Sequence, residues 1–446
     1  MNVVKNEITT QRLTTKIALR LTHPIHALGL LYALVLSSWV FTSQYYGDIT
    51  LFEFLLPSLI LMLITYVSWC VFKAQSIPLR LSDIIIWAII FRLIGLMIYP
   101  ILEDDAFRYM WDGYQTLING SPYRQPPSYF FSVDGLSDRF NTILDHINYP
   151  DVPTIYWPTT QYVFALAAWI APGEIWPLQF LMLCFDVVLL YVLCQLGKPL
   201  CVWLYAWSPL VIKETIITAH PDIIGIAFIW LAFLYQRKNI YIAASCCAFA
   251  VSAKVFAVLL VPFCLLFIVR AWCVFLLVLV CTFLPFMHEI PNLVSSLSAM
   301  SEGWVFNSPL YLIVLYTLPS VSLSTVKISL FLMFAVFGLY LFCKHVKYRR
   351  NMLVRGDIIF MMFLLVSPVA NPWYFLWILP FAVIYPSLWA WVASCAVFLS
   401  YCIGLNLHDP ALNNYQIPAY IVVIEYGLIF IALCITRLKR FTLFKL

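Results

Sequence analysis

Three consecutive carboxylates open the longest polar stretch of the chain, directly after an apolar block at residues 84–100. Glu103, Asp104 and Asp105 repel one another, so at least one should have a raised pKa unless a cation lies nearby. Arg108 stands one helical turn after Asp105 and would supply that cation. Carboxyl groups with perturbed pKa values are candidates for acid–base chemistry. The same pattern also fits an acidic helix cap beside a belt of interfacial aromatic residues.

The residues after the acidic run predict an amphipathic helix at the membrane surface. Residues 107–114, Phe-Arg-Tyr-Met-Trp-Asp-Gly-Tyr, combine charged side chains with apolar and aromatic ones, as in helices that lie in the bilayer interface. The tetrapeptide at 119–122, Asn-Gly-Ser-Pro, is a strong turn signal and should end this helix.

A second group of charges lies where two consecutive apolar blocks meet: Lys213, Glu214, His220 and Asp222. Charged residues within or at the rim of membrane spans are expensive to bury and are therefore functional candidates. The alternative is a structural Lys–Glu pair beside a solvated histidine. A lone His-x-Asp pair lacks the third protein ligand of a zinc site, so we predict no metal ligands and name no certain cofactor, although a divalent cation would be compatible.

Other polar and aromatic residues in the apolar blocks favour structural roles. Arg92 and Asp186 fall in mid-span, where a buried ion pair is the better explanation. Trp157, Trp304 and Trp373 suit stacking on sugar rings, but aromatic belts at membrane interfaces are more common.

Composition restricts the class of protein. Of 446 residues, 63% are hydrophobic and only 11% are charged, against about a quarter in a soluble domain. This excludes a soluble enzyme, a disordered protein and a disulfide-rich secreted scaffold. Apolar residues come in unbroken blocks rather than alternating, which disfavours a membrane β-barrel. The sequence predicts an all-α polytopic membrane protein.

The basic residues predict the topology, since lysine and arginine are enriched in cytoplasmic loops. Setting them inside gives one transmembrane domain over residues 1–446, with 11 to 14 spans, both termini cytoplasmic and an uncleaved first span. The loop at 101–160 then lies outside, followed by a re-entrant or interfacial helix at 159–171 and a second outer segment at 288–320. The basic clusters are Lys5, Arg12, Lys16 and Arg20; Lys73 and Arg80; Arg237 and Lys238; residues 344–355; and Arg437, Lys439, Arg440 and Lys445.

Several outward-facing motifs together resemble the GT-C glycosyltransferases, multi-span enzymes that take sugar from polyprenyl-phosphate donors. The resemblance is greatest to bacterial mannosyltransferase-like members, and more distant to the catalytic subunit of the mannosyltransferase that starts the GPI-anchor glycan. It covers about residues 84–385. The motifs lie at residues 103–113, 119–124, 153–160, 207–214 with 220–222, 253–256 with Pro262, 306–311 and 367–374.

This resemblance implies a bundle of GT-C type whose long first outer loop carries interfacial helices and the catalytic residues. Asp105 would be the general base, with Asp104 and Glu103 shaping its electrostatic field. The remaining implied residues would bind the donor phosphate or the substrates: Arg108, Tyr123, Arg124, Lys213, Glu214, His220, Asp222, Lys254, Asn307, Trp373 and Tyr374.

The implied function is transfer of a sugar, with mannose favoured, from a polyprenyl-phosphate donor to a lipid-linked or envelope glycan. It would take place on the extracytoplasmic face of a bacterial inner membrane, with the bilayer as a further partner and no role for nucleic acid. Two other classes stay open: a transporter or flippase of lipid or glycan, and a non-catalytic membrane subunit. Inverted repeats would favour the transporter, and activity without Asp105 would favour the subunit.

Overall fold

The computed structural model describes residues 23–43, 49–74, 79–301, 303–348 and 352–438. Regular structure within these ranges is helical, and an isolated parallel β-bridge joins Phe306 to Val369. The predicted all-α class is therefore confirmed.

The α-helices are numbered here along the chain. They are α1 (Pro24–Thr42), α2 (Leu51–Ala74), α3 (Leu81–Gly95), α4 (Asp105–Asn119), α5 (Asp138–Asp145), α6 (Pro158–Ile170), α7 (Trp176–Leu196), α8 (Pro199–Ala206), α9 (Pro209–Val211), α10 (Asp222–Tyr235), α11 (Ile240–Ala253), α12 (Val261–Leu265), α13 (Val269–Phe283), α14 (Ile290–Ser301), α15 (Pro309–Thr317), α16 (Leu323–Tyr348), α17 (Gly356–Val366), α18 (Leu379–Ile384), α19 (Leu388–Ala396), α20 (Gly404–Leu407) and α21 (Ala419–Leu438).

Tighter and wider helical turns connect several of these helices. The 3₁₀ segments are Pro127–Ser132, Val255–Leu259, Leu284–Glu289, Pro372–Trp377 and Val397–Tyr401, and a π-helix covers Ile212–Ile217.

Six described helices are long and apolar enough to cross a bilayer, or seven if the bent pair Pro199–Ala206 and Pro209–Ile217 forms one span. The protein is thus a multi-pass integral membrane protein. Five further apolar helices have 10 to 17 residues, fewer than the roughly 20 that a straight span needs. The count of 11 to 14 spans would require these shorter helices to cross as well, so that number stays a prediction. The six long helices are Pro24–Thr42, Leu51–Ala74, Trp176–Leu196, Val269–Ala299, Leu323–Tyr348 and Ala419–Thr436.

The ends of the chain are not part of this description. The basic residues Lys5, Arg12, Lys16 and Arg20, and also Lys439, Arg440 and Lys445, lie outside the described residues. The cytoplasmic location of both termini therefore stays a prediction.

The first polar loop folds as a helical layer. Helix α4 begins at Asp105, and it ends at Asn119, where Gly120 adopts a left-handed φ of 74°; the predicted turn at this position is confirmed. Helix α4 packs on α6 so closely that a Cβ atom at Gly113 would stand 2.3 Å from the carbonyl oxygen of Phe164. Glycine at 113 is what permits this contact.

Helix α6 corresponds to the predicted helix at 159–171. Pro158 occupies its first turn, where the missing N–H of proline costs no hydrogen bond. Leu166 and Trp169 on α6 are exposed, which suits contact with lipid. The helix is therefore where we expected it, and its re-entrant or interfacial placement stays a prediction.

The second predicted outer segment, 288–320, is largely helical. Helix α13, the 3₁₀ segment Leu284–Glu289 and α14 together form one apolar helical stretch from Val269 to Ala299, and α15 occupies Pro309–Thr317. Residues 303–308, which precede α15, include Phe306, whose N–H donates to the carbonyl of Pro368 at 2.9 Å.

A fully buried ion pair joins two helices of the bundle, as the sequence predicted. Arg92 on α3 and Asp186 on α7 are both fully buried and directly paired. Tyr205 donates to the second carboxylate oxygen of Asp186 at 2.6 Å, and Arg92 also donates to the carbonyl of Ala206 at 2.8 Å. The pair therefore ties α3 and α7 to the end of α8.

We expect replacement of only one partner of this pair to be costly. Asp186→Leu leaves the guanidinium of Arg92 buried without a counter-charge, which should lower the free energy of unfolding by roughly 3–5 kcal/mol. Unfolding in detergent micelles, followed by tryptophan fluorescence, measures this loss. The double variant Arg92→Leu/Asp186→Leu should recover part of it.

Glu174→Leu provides the matched control, because the Arg139–Glu174 pair is half exposed. Its loss should cost at most about 1 kcal/mol. Equal losses for Asp186→Leu and Glu174→Leu would contradict a central role for the buried pair.

Candidate active site

A cavity of about 560 Å³ lies where the acidic run meets later segments of the chain. This volume is within the range typical of ligand-binding pockets. Its wall also includes Lys254 and residues from the segments 49–51, 146–156, 304–306, 371–374 and 400–415. Of the residues implied by the sequence, those that line it are Glu103, Asp104, Asp105, Arg108, Lys254, Trp373 and Tyr374.

The carboxylates of the acidic run are held by neutral hydrogen-bond donors. The side-chain amide nitrogen of Asn148 donates to Asp104 Oδ1 and to Asp105 Oδ1, each at 2.8 Å. The hydroxyl of Tyr415 donates to Asp104 Oδ2 at 2.7 Å. Asp105 Oδ2 is less firmly held, with the hydroxyl of Tyr109 at 3.4 Å. Asp105 therefore has the freer oxygen of the two.

The electrostatics of the run agree with the expectation of mutual repulsion. Burial, and then the neighbouring charge of Asp104, raise the pKa of Asp105, while the hydrogen bond from Asn148 opposes the rise. Burial raises the pKa of Glu103 well above its usual range, although the ammonium of Lys213 opposes this.

Arg108 does not form the predicted pair with Asp105. Its two terminal nitrogens instead donate to backbone carbonyls of the following loop: Asn148 at 2.9 Å, Tyr149 at 2.8 Å and Val152 at 3.0 Å. The helical spacing was right, but three carbonyls in a folded-back loop use the guanidinium fork. Arg108 therefore organises the loop that carries Asn148.

A buried charge network lies behind the cavity wall. Lys213 and Glu214 are fully buried, with the ammonium 3.3 Å from Glu214 Oε1 and 3.8 Å from Glu103 Oε1. Tyr401 accepts a hydrogen bond from Lys213 and lies 2.8 Å from Glu214 and 3.0 Å from Glu103. Lys213 is not among the residues that line the cavity. Its ammonium therefore acts as the counter-charge of Glu103 and Glu214.

His220 joins this network to the acidic run. Its Nδ1 lies 2.8 Å from the hydroxyl of Tyr109, and its Nε2 lies 3.4 Å from Glu214 Oε2. The ring is fully buried and stacks on Trp373 with a centroid separation of 3.8 Å. His220 therefore contacts the site through its neighbours and is not solvated.

Lys254 brings a cation to the cavity. Its ammonium lies 3.1 Å from Asp222 Oδ2, and 17% of its side chain is exposed. Asp222 is fully buried and also accepts from the indole of Trp377 at 2.7 Å. The ammonium lies 5.0 Å from the ring centroid of Tyr374.

The remaining implied residues lie away from the cavity. Arg124 is largely exposed and pairs with Glu289 at 2.8 Å. Tyr123 is buried and donates to the carbonyl of Tyr156 at 2.7 Å. Asn307 is buried and donates to Glu425 at 2.9 Å. None of these three residues lines the cavity.

Glu103, Glu214 and His220 have potential metal-ligating atoms that all lie within 4.8 Å of one another. Asp222 is not part of this group, because it pairs with Lys254, so His220 lies beside two glutamates rather than forming a site with Asp222. The ammonium of Lys213 already lies against both carboxylates, so a cation bound here would compete with a fixed positive charge.

Four of the residues that hold the site are absent from the sequence prediction. Tyr401 and Tyr415 contact the acidic run from 298 and 311 positions away, and nothing local in the sequence indicates such contacts. Tyr109 lies in the quoted motif, one helical turn after Asp105, and that spacing was a usable signal. Asn148 is an ordinary loop residue by composition.

One more buried carboxyl lies between the two helices of the loop. Asp112 on α4 accepts from Gln161 Nε2 on α6 at 3.1 Å, and burial raises its pKa to about 6. Gln161 Oε1 is buried and has no partner among the described residues. The contact between α4 and α6 therefore contains a carboxyl group that keeps its proton to a higher pH than an exposed aspartate does.

Comparison with known proteins identifies a matching family. The family model described as "Alpha-(1->6)-mannopyranosyltransferase, N-terminal domain" matches residues 31–270. No curated protein and no solved structure matches the chain significantly. The matched part contains the acidic run, Asn148, Lys213 and Lys254, whereas the cavity wall from Trp304 onward lies beyond it.

Asp112→Asn should stabilise the protein at neutral pH. A folded-state pKa of about 6 against an unfolded value near 3.9 means that the folded state holds the proton more tightly. Stability is therefore lost as pH rises from about 4 to about 6, and the neutral amide avoids this loss, which is worth roughly 1–3 kcal/mol.

Thermal unfolding in detergent at pH 7.5 and pH 4.5 tests this prediction. The variant should be more stable than the wild type at pH 7.5, and the difference should shrink at pH 4.5. Asp138→Asn, at an exposed position on α5, is the control and should change neither value. A less stable Asp112→Asn protein at pH 7.5 would contradict the prediction.

Proposed function

The chain belongs to the alpha-(1→6)-mannopyranosyltransferase family, and we propose that it transfers a mannosyl residue from a polyprenyl-phosphate donor to a lipid-linked or envelope glycan. The observation that carries the proposal is the cavity in which Asp105 and the ammonium of Lys254 face the same space. The reaction would take place on the extracytoplasmic face of a bacterial inner membrane, with both termini in the cytoplasm.

The proposed reaction is a substitution at the anomeric carbon. The acceptor oxygen bonds to that carbon, the bond to the phosphate oxygen breaks, and its electron pair leaves on the phosphate. The proton of the acceptor hydroxyl moves to the base. Phosphate is a good leaving group, so the reaction needs no second carboxyl group to act as an acid.

Asp105 is the preferred base. It lines the cavity, and its Oδ2 has only long contacts with the hydroxyls of Tyr109, at 3.4 Å, and Tyr156, at 3.5 Å. Asp104 also lines the cavity, but the hydroxyl of Tyr415 holds its second oxygen at 2.7 Å. The raised pKa of Asp105 increases its affinity for the proton that it must accept.

Lys254 is the preferred partner of the donor phosphate. Its ammonium reaches the cavity while its other contacts, to Asp222 and Tyr374, fix its position. Lysine binds phosphate as a point charge. Lys213 has a different role, because its ammonium lies behind the cavity wall and neutralises the carboxylates of Glu103 and Glu214.

Aromatic rings around the cavity suit the faces of sugar rings. Trp304, Trp373 and Tyr149 all line it, and Trp157, the remaining tryptophan considered from the sequence, packs instead on Phe283. The family membership favours an enzyme over the transporter and subunit alternatives.

Asp105→Asn should reduce turnover by roughly 10²- to 10⁴-fold, because the amide keeps the shape of the side chain but cannot accept the proton. Donor binding and folding should survive. The measurement is transfer of radiolabelled mannose from polyprenyl-phosphate mannose by purified protein in detergent.

Asp104→Asn is the matched control and should retain more activity than Asp105→Asn. The reverse order would move the base to Asp104. Near wild-type activity in both variants would remove the acidic run from the chemistry.

The proposed sidedness predicts opposite labelling of two exposed positions. In a background without the 13 native cysteines, Ser137→Cys in the first loop should react with an impermeant maleimide added to intact spheroplasts. Lys238→Cys, between α10 and α11, should react only after lysis. The inverse pattern would place the cavity on the cytoplasmic side.

A further inference from the structure

Asn148 occupies a particular place beside the acidic run. One side-chain nitrogen donates its two hydrogens to two different carboxylates, Asp104 and Asp105, at equal distances of 2.8 Å. A neutral amide adds no charge to the cavity, yet it offers each carboxylate a hydrogen bond. Hydrogen bonds to charged groups are about twice as strong as those between neutral groups.

The backbone of Asn148 is fixed by a different residue. Arg108 donates through one terminal nitrogen to the carbonyls of Asn148 and Tyr149, and through the other to the carbonyl of Val152. Tyr149 adopts a left-handed φ of 46°, which is costly for a bulky residue and persists only where other contacts enforce it. The guanidinium is thus the centre around which residues 148–152 are folded.

The hydrogen bonds of Asn148 and those of Arg108 are structurally connected. Helix α4 carries Asp105 at its first position and Arg108 one turn later, so the carboxylate that Asn148 binds and the guanidinium that binds the loop belong to the same helix. Arg108 folds the loop back, and the loop returns Asn148 to the carboxylates at the start of that helix. A lysine at 108 would lack the planar fork that reaches three carbonyls.

We propose that Asn148 is a positioning residue that holds the carboxylates of Asp104 and Asp105 in register, and that Arg108 is its anchor rather than a ligand of the donor phosphate. This inference rests on the proposed transfer reaction, in which Asp105 takes the proton. Asn148 fixes Asp105 Oδ1, which leaves Oδ2, with only its long contacts to Tyr109 and Tyr156, free to accept the proton of the acceptor hydroxyl.

Other groups also act on Asp105, and Asn148 is one influence among them. The charged or titratable groups around it are Glu103, Asp104, Arg108, Tyr109, Tyr149, Tyr156, Lys254, Tyr374 and Tyr415. A change limited to Asn148 leaves all of these in the sequence, so a shift in the titration of Asp105 reports the loss of the amide.

Asn148→Ala should lower kcat roughly 10- to 100-fold while the donor KM stays unchanged, as expected for loss of hydrogen bonds to charged groups. The acid limb of the kcat/KM profile should move to higher pH, because the hydrogen bond from Asn148 favours the ionised form of Asp105. Asn141→Ala, at an exposed position on α5, is the matched control and should behave as the wild type.

A second readout does not depend on turnover. Carbodiimides modify protonated carboxyl groups, so the extent of modification of Asp105 against pH, read by mass spectrometry, reports its titration directly. The midpoint should lie at higher pH in Asn148→Ala than in the wild type or Asn141→Ala. An unchanged midpoint together with an unchanged acid limb would overturn the inference.

The anchoring role of Arg108 is tested by a double-mutant cycle. Arg108→Lys should reproduce the effects of Asn148→Ala, and the double variant should be little worse than either one, because both changes release the same amide. Additive effects, with a donor KM raised by Arg108→Lys alone, would instead make Arg108 a donor ligand.

The proposed function and the positioning role of Asn148 can be refuted independently. A wild-type protein that transfers no mannose from the polyprenyl-phosphate donor would refute the proposed function, while the carbodiimide titration would still report on Asn148. Normal transfer by the wild type, combined with unshifted titration in Asn148→Ala, would refute this inference alone.

Discussion

The central constraint on this molecule is the burial of carboxyl groups at the edge of an apolar helix bundle. An ionised carboxylate out of contact with water is strongly disfavoured unless cations or hydrogen-bond donors surround it. Lys213 provides the cation for Glu103 and Glu214, and Lys254 provides it for Asp222. Asp104 instead accepts hydrogen bonds from Asn148 and Tyr415. Because these partners come from distant segments, the charges fix how the helices and loops meet.

The charged residues of the site therefore form two groups, one that lines the cavity and one that is buried behind its wall. The acidic run and Lys254 face the cavity, where substrates would arrive, while Lys213 and His220 sit behind it, fully buried. Tyr401 connects the two parts, since its hydroxyl lies within 3.0 Å of both Glu103 and Glu214. A preorganised arrangement of this kind keeps its charges in place without help from water.

Much of this architecture could be predicted from the sequence, because it depends on local patterns. Apolar blocks indicated the long helices, the Asn-Gly turn marked the end of α4, and the mid-span charges of Arg92 and Asp186 predicted their pairing. The family was indicated by motifs such as the acidic run.

The positions and partners of single side chains were harder to predict from the sequence. Arg108 had the right spacing to reach Asp105 but bonds to carbonyls of a loop some forty residues later. A charge near a helix end gives no sign of whether it faces the cavity, as Lys254 does, or lies behind it, as Lys213 does. Contacts across 298 and 311 positions, from Tyr401 and Tyr415, arise only when the chain closes on itself.

The most direct test of the account is the identity of the donor. Purified protein in detergent would be given mannose labelled with tritium, either on a polyprenyl phosphate or on a nucleoside diphosphate, together with a membrane glycolipid extract as acceptor. We expect labelled product from the polyprenyl-phosphate donor alone, sensitive to α-mannosidase, and none from the Asp105→Asn protein. Transfer from the nucleoside diphosphate sugar, with none from the lipid donor, would contradict it.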